Sequence, residues 1–258
     1  MTGRARDRGR GWVSRGVLWT PASLGAALWY EADNLAQSAG AIDRVHNLGS
    51  LGSGFDSVQA TVPNKPTFDA VGGPNSNPAV VHTSPRYLLT PHDAGWKTAQ
   101  ITWWALLKFD ADTGAWQTVL NSADDISWTT GVFLGKNNAT SGSTDTNVAT
   151  TGYATNAVTF TALGTSGWHL VIGRYDGSQV LGTRNGVAGT PDTFAGPIAH
   201  GSGPLVIGSS LQTVGPIYSF NWLGRWSSMG IVPRCISNAE CAQLKSWIEA
   251  KWKTGVLS

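Results

Sequence analysis

Charged side chains make up only 13% of the 258 residues, about half the share of an ordinary soluble domain. A surface so poor in charge fits either a face covered by a partner or a neutral, Ser/Thr-rich β-protein. Cysteine is scarcer still: Cys235 and Cys241 are too few for a disulfide scaffold and lack metal-site companions. The two are expected to be reduced thiols, behaving as small apolar groups. No run approaches the roughly 20 continuous apolar residues of a membrane span. The N-terminus is rich in arginine, but no apolar segment follows it, so a secretory leader is not expected and synthesis is expected in the cytoplasm. No 20–50-residue period marks a solenoid or propeller. There is no Gly-x-Ser-x-Gly elbow, no phosphate-binding glycine loop with its lysine, and no His-Glu-x-x-His pair. The five histidines (His46, His82, His92, His169 and His200) are scattered. His169 sits in a core-type run, as a hydrogen-bonded structural histidine would.

What is abundant is glycine (32), tryptophan (13) and short aromatic or β-branched runs. That combination predicts many short strands with tight turns, and an apolar fraction of 41% suffices for a sizeable core. The expected strands are Ile101–Phe109, Trp116–Leu120, Gly131–Leu134, Val158–Leu163, Trp168–Tyr175, Gln179–Arg184, Leu205–Gly208 and Tyr218–Val232. Nearly every position of Ile101–Phe109 is apolar, the mark of a strand buried on both faces. Asn185-Gly186 predicts a hairpin turn, since both residues accept positive φ. Gly72–Pro78 and Asn137–Asn147 read as surface loops.

One helix is expected near 238–253. Ser237 and Glu240 form a capping box, with Ile236 and Cys241 in the staple positions. Cys241, Leu244, Trp247, Ile248 and Trp252 fall on one face, which should lie against the sandwich, while Lys245, Glu249 and Lys253 point away. Lys251 and Lys253 suit the C-terminal dipole, and Gly255 can end the helix.

Residues 1–17 form a separate basic arm. Arg4, Arg6, Arg8, Arg10 and Arg15 against Asp7 give it +4, so the rest of the chain carries −2 of the overall +2. The arm has Trp12 but no repeated aromatic interleaving, and the domain behind it is slightly acidic, so nucleic acid is a poor partner. An arm that threads to a neighbouring subunit through arginine hydrogen bonds suits it better.

The order of segments from about residue 18 to 254 resembles the concanavalin A-like (laminin G-like) domains of phage structural and bacterial surface proteins. The opening TPASLGAALWYEADN is similar to the first strand of that group, with Glu31 where Asp is common. Asp43-Arg44-Val45-His46-Asn47-Leu48-Gly49 stands at its Trp-x-Asp-x-Ser-Gly-Asn turn, without the tryptophan. Lys65-Pro66-Thr67-Phe68 and Ala79-Val80-Val81-His82 resemble its next segments. So do Gly167-Trp168-His169-Leu170-Val171 with Tyr175-Asp176-Gly177, then Asn185-Gly186-Val187 and Pro204-Leu205-Val206-Ile207-Gly208. Arg234-Cys235-Ile236-Ser237-Asn238-Ala239-Glu240 is similar to the lead-in to the group's closing helix. The resemblance implies one two-sheet antiparallel jelly roll over 18–258. It implies no single activity, since this fold hosts lectins, hydrolases and adhesion modules alike.

The β-glucan hydrolases of this fold resemble one another in a Glu-x-Asp-x-x-Glu strand, which places its carboxylates on one sheet face. Here Glu31-Ala32-Asp33 begins that pattern and Ala36 ends it; the two other glutamates, Glu240 and Glu249, lie on the helix. The missing carboxylate points away from an enzyme; the resemblance to phage domains, with the sparse charge, the basic arm and no expected leader, implies a non-enzymatic virion protein in a phage capsid decoration, fibre or tail. Its partners are other virion proteins or copies of itself, and a cell-surface glycan is a further candidate ligand. The competing readings are a free-standing carbohydrate-binding module and a glycan hydrolase. Sugar binding needs aromatic faces beside hydrogen-bonding side chains, which Trp116, Trp128, Asn137, Asn138 and Tyr153 would supply in or beside loops. Asp124, Asp125 and Asp145, in polar loops, are the candidates for calcium, which takes oxygen ligands; without EF-hand-like spacing, a solvated turn is the favoured reading of them. No other cofactor is expected.

Overall fold

The computed structural model describes residues 19–111, 113–122, 130–137, 145–150, 157–160, 165, 167–194, 196–212 and 217–253. The arm, with Arg4, Arg6, Arg8, Arg10, Trp12 and Arg15, lies outside the described residues, as do Asp124, Asp125, Trp128, Asn138 and Tyr153.

The strands pair antiparallel throughout and form two layers. In the first, Gln179–Arg184, His169–Tyr175, Ile101–Phe109 and Gly224–Val232 run side by side. The far flank of the last strand is shared by Leu28–Glu31 and Ala79–His82. The second layer runs through Ala41–Val45, Ser57–Val58, Leu88–Thr90, Leu205–Ile207, Gln117–Asn121, Val132–Asn137, Asp145–Thr150 and Ala157–Phe160. Thr67–Asp69 joins the layers at one edge by pairing with both Ala41 and Ala79–Val81. This is the expected jelly-roll sandwich, with one α-helix among the described residues, Asn238–Trp252, closing it.

Strand alternation explains the apolar run Ile101–Phe109. Tyr30, on the sandwich-facing side, exchanges a hydrogen bond at 2.9 Å with Thr90 of the opposite layer. Thr102, on the outer side, donates to the Arg234 carbonyl at 2.8 Å and accepts from the Ile236 amide at 3.0 Å, both in the lead-in to the helix. The strand is therefore covered by the second layer on one face and by the helix on the other. Trp103 and Trp104, on opposite faces, are both fully buried. Gly230 allows this packing: a Cβ there would stand 2.3 Å from the Trp104 ring and 2.4 Å from the Leu28 carbonyl.

The helix begins as expected. Glu240 N–H donates to Ser237 Oγ at 3.2 Å, and Ser237 N–H donates to Glu240 Oε2 at 2.8 Å. Ile236, Cys241, Leu244, Ile248 and Trp252 are buried. Trp247 lies at the border of that face, half-buried and edge-on to Trp29 with centroids 5.5 Å apart. The helix ends earlier than expected: Lys253 takes the left-handed conformation at φ 50, and Gly255 lies outside the described residues. At the hairpin, Asn185 (φ 54) and Gly186 (φ 89) both have positive φ, as a type I′ turn requires.

Two sequence expectations need correction. Tyr218–Val232 is not one strand: Ile217–Ser219 pairs with Ser210–Gln212 in a separate ribbon, and the long strand begins at Gly224. Phe220, at φ 55, stands in the break. Asn137–Asn147 is not wholly loop, because Asn137 ends one strand and Asp145 begins the next, directly opposite it. Polar composition had suggested loop, but backbone pairing to Val132–Asn137 extends both strands past the apolar residues.

Candidate functional site

Glu31 and Asp33 carried the sequence-level claim to catalysis, and Glu31 is fully buried. Its partner across the ladder is Ser228, so both point to the outer face beneath the helix. Ser228 Oγ donates to Glu31 Oε1 at 2.8 Å, and the Trp29 indole N–H donates to the same oxygen. Lys251, from the helix, reaches Glu31 Oε2 at 3.3 Å and Asp33 Oδ1 at 3.2 Å. Burial pushes the Glu31 pKa up to about 7, while Lys251 and the two donors pull in the opposite direction. The side chain is fully buried. A raised carboxyl pKa is a frequent sign of an active site. Here its cause is the helix lying on top, and the group ties helix to sheet.

The lead-in to the helix is held as firmly. Arg174, 6% exposed, donates to the Ile236 carbonyl and to Asn238 Oδ1, each at 2.8 Å. Arg234 forms a two-pronged pair with Glu240 at 2.6 and 3.0 Å. That pair, before any other cause, holds the Glu240 carboxyl down to about 2. Sequence reading did not single out Arg174; an arginine in an otherwise apolar core strand was the available signal.

The Asp43–Gly49 segment, noted for its resemblance, is a structural turn. Asn47 Oδ1 accepts the Trp29 and Gly49 amides at 2.9 Å each, and its Nδ2 donates to the Ala27 and Gly52 carbonyls at 3.2 Å. Buried Asp56 accepts the Asn47 amide at 2.8 Å and is reached by Arg44 and His46 at 3.1 Å. Among the described residues no three His, Cys, Asp or Glu side chains gather as a metal site. Cys235 and Cys241 are both free thiols. His169 stands 3.4 Å from Asn185 Nδ2, and burial lowers its pKa to about 4.

The described sugar and calcium candidates fall together at one end of the second layer. Lys136, the neighbour of Asn137, pairs with Gln117, the neighbour of Trp116, and Asn137 pairs with Asp145 on the next strand. Trp116 is half-buried. Asn137 and Asp145 thus sit at strand ends and not within loops.

Two further concavities flank the exposed side of the helix. One, of about 590 Å³, lies between the helix and the Asn185-Gly186 hairpin and includes Thr183, Asn238, Lys245 and Ser246 in its walls. The other, of about 510 Å³, is lined by Trp19, Ala242, Gln243, Ser246, Trp247 and Ala250. Ala242 and Ser246 belong to both. The available signal was Ala242, Ser246 and Ala250, small residues at helical spacing opposite the apolar stripe.

No family model matches the sequence. No curated protein matches it. Solved structures do. The botulinum neurotoxin serotype D binding domain superposes with a TM-score of 0.57 at 12% identity, over 88% of this chain and 52% of that one. The binding domain of Paraclostridial Mosquitocidal Protein 1 gives 0.56 at 10% identity, over 87% and 52%. A botulinum neurotoxin type C structure, described by cell entry dependent on interaction with two ganglioside molecules, gives 0.57 at 9% identity, over 89% and 53%. The chain spans about half the length of the chains it matches. At such identities the likeness is one of fold, an antiparallel β-sandwich shared with domains named for binding.

Proposed function

We propose that this chain is a non-catalytic binding module that attaches a phage particle to a cell-surface glycan, with residues 1–17 joining it to other virion proteins or to copies of itself. The observation that carries the non-catalytic part is Glu31, the first carboxylate of the partial hydrolase pattern, sealed between the sheet and the helix and held by Lys251, Trp29 and Ser228. The fold it shares with receptor-binding domains supports the glycan part; one such neighbour is a serotype D ligand-binding domain in complex with N-acetylneuraminic acid. The first contact surface is the end of the second layer, where Trp116 leads into the strand Gln117–Asn121 that pairs with the strand ending at Asn137. Trp128, Asn138 and Tyr153 complete that candidate set, and Asp124, Asp125 and Asp145 are the residues through which calcium would act.

The test is retention of the purified full chain on immobilised bacterial and animal glycans, with a parallel assay for reducing ends released from β-glucans and galactans. Retention without release is expected, and Trp116→Ala should weaken retention. Turnover abolished by Glu31→Gln or Asp33→Asn would overturn the non-catalytic reading, and failure to retain any glycan would overturn the glycan reading. For the arm, deletion of residues 1–17 should leave the sandwich folded and abolish incorporation into particles. Normal incorporation would remove the assembly role.

A further inference from the structure

We infer that the saddle across the closing helix is a second carbohydrate surface, one that takes a neutral pyranose oligosaccharide against Trp19 and Trp247. The inference rests on the reading of the chain as a glycan-binding module and adds a site and a ligand class to it.

The saddle exists because the exposed ridge of the helix is cut low. Ala242, Ser246 and Ala250 follow one another at a spacing of four, so they share one exposed face, and none has a side chain long enough to divide the concavities beside it. With Ala242 and Ser246 lining both, the surface is continuous from Trp19 and Trp247 on one side to Asn185, Gly186 and Lys245 on the other. Each concavity falls in the size range of small-ligand sites.

Its chemistry suits a sugar. A pyranose presents a C–H face that packs on an indole, and hydroxyls that need hydrogen-bond partners around the rim. Trp19 and Trp247 supply two indoles within one groove, and Gln243 and Ser246 supply an amide and a hydroxyl. Among the described residues neither polar side chain is engaged elsewhere in a hydrogen bond. Trp247 is held in place beforehand: its ring stands edge-on to Trp29 at an interplanar angle of 76°, with the Lys251 ammonium 5.7 Å from its centroid. A ring already fixed loses little freedom when a ligand arrives.

Charge selects a neutral ligand over an acidic one. Among the described residues the two lysines beside the saddle are matched: Lys245 lies 2.7 Å from Glu249, and Lys251 is held by Glu31 and Asp33. An anionic sugar would gain no uncompensated cation from these two lysines.

The experiment titrates the full chain, followed by ligand-observed NMR, with lactose, cellobiose and N,N′-diacetylchitobiose as neutral probes and 3′-sialyllactose as the acidic one. Ala242→Arg fills the floor shared by the two concavities at an exposed helical position, where arginine is well tolerated. Gln243→Ala removes the amide at another exposed position. Both should weaken binding of a neutral probe about tenfold or more, and Val62→Ser, at an exposed position outside both concavities, should leave that binding intact. If neutral probes bind but neither helix variant weakens them, the saddle is not the site, and the glycan-binding reading stands without it. If no neutral or acidic probe binds the wild type, and no glycan retains it, both fail. If 3′-sialyllactose binds more tightly than lactose and Ala242→Arg abolishes that binding, the choice of a neutral ligand is overturned.

Discussion

Replacing Glu31 with glutamine should expose an acid sensitivity that the wild-type protein conceals. Two fully buried groups titrate in opposite senses. Burial raises Glu31 from 4.5 to about 7, so its contribution to stability is fully present below pH 4.5 and is lost as pH rises through about 7. Burial lowers His82 from 6.5 to about 4; its ring accepts the Trp226 indole N–H at 3.1 Å and lies 3.1 Å from the Arg86 carbonyl. Its contribution is therefore fully present above pH 6.5 and is lost as pH falls through about 4. Between pH 4.5 and 6.5 the folded chain carries its extra proton on Glu31 and the unfolded chain carries one on His82. Each alone gives a slope of about 1.4 kcal/mol per pH unit, and the two cancel.

Glu31→Gln keeps an acceptor for Trp29 and Ser228 but cannot take up the proton. It should lose roughly 2–3 kcal/mol relative to wild type as pH falls across those two units. His169, shifted in the same direction as His82 but partly exposed, adds a smaller slope common to both proteins, so the difference is the quantity to read. Urea unfolding at pH 4.5, 5.5 and 6.5 measures it. Parallel profiles for the two proteins would refute the assignment of a buried, proton-accepting Glu31.

The other expected outcomes concern the fold that positions the site. Gly230→Ala forces a methyl group against the Trp104 ring and the Leu28 carbonyl and should cost about 3 kcal/mol, read from the shift in urea midpoint; a shift under about 0.5 kcal/mol would mean that the layers yield easily. Asn47→Ala removes two acceptor and two donor contacts and should cost roughly 2–4 kcal/mol. Ser237→Ala loses the helix cap and should cost about 1 kcal/mol, with earlier amide exchange confined to the first helical turn as its local signature.

Much of the architecture was legible because it is written locally. Ile101–Phe109 and Gln179–Arg184 fall at their expected bounds, since continuous or alternating apolar residues bounded by turn signals leave few other options. The Asn185-Gly186 turn and the Ser237–Glu240 capping box depend only on residues within reach of each other along the chain. The break at Phe220 and the pairing of Asn137 with Asp145 were not legible, because each depends on which strand lies alongside.

The candidate sites divide in the same way. Sequence alone showed that the third carboxylate of a glucan hydrolase is missing, and that Trp247 belongs near the buried stripe of an amphipathic helix. Only the tertiary structure decided that Glu31 lies beneath that helix, paired with Lys251, 220 positions further along the chain. Likewise it alone brought Trp19 to one side of Trp247 and the hairpin to the other side of the ridge. The physical reason is that burial and charge compensation depend on what covers a side chain. In a sandwich built from long-range pairings, the cover comes from a distant part of the sequence.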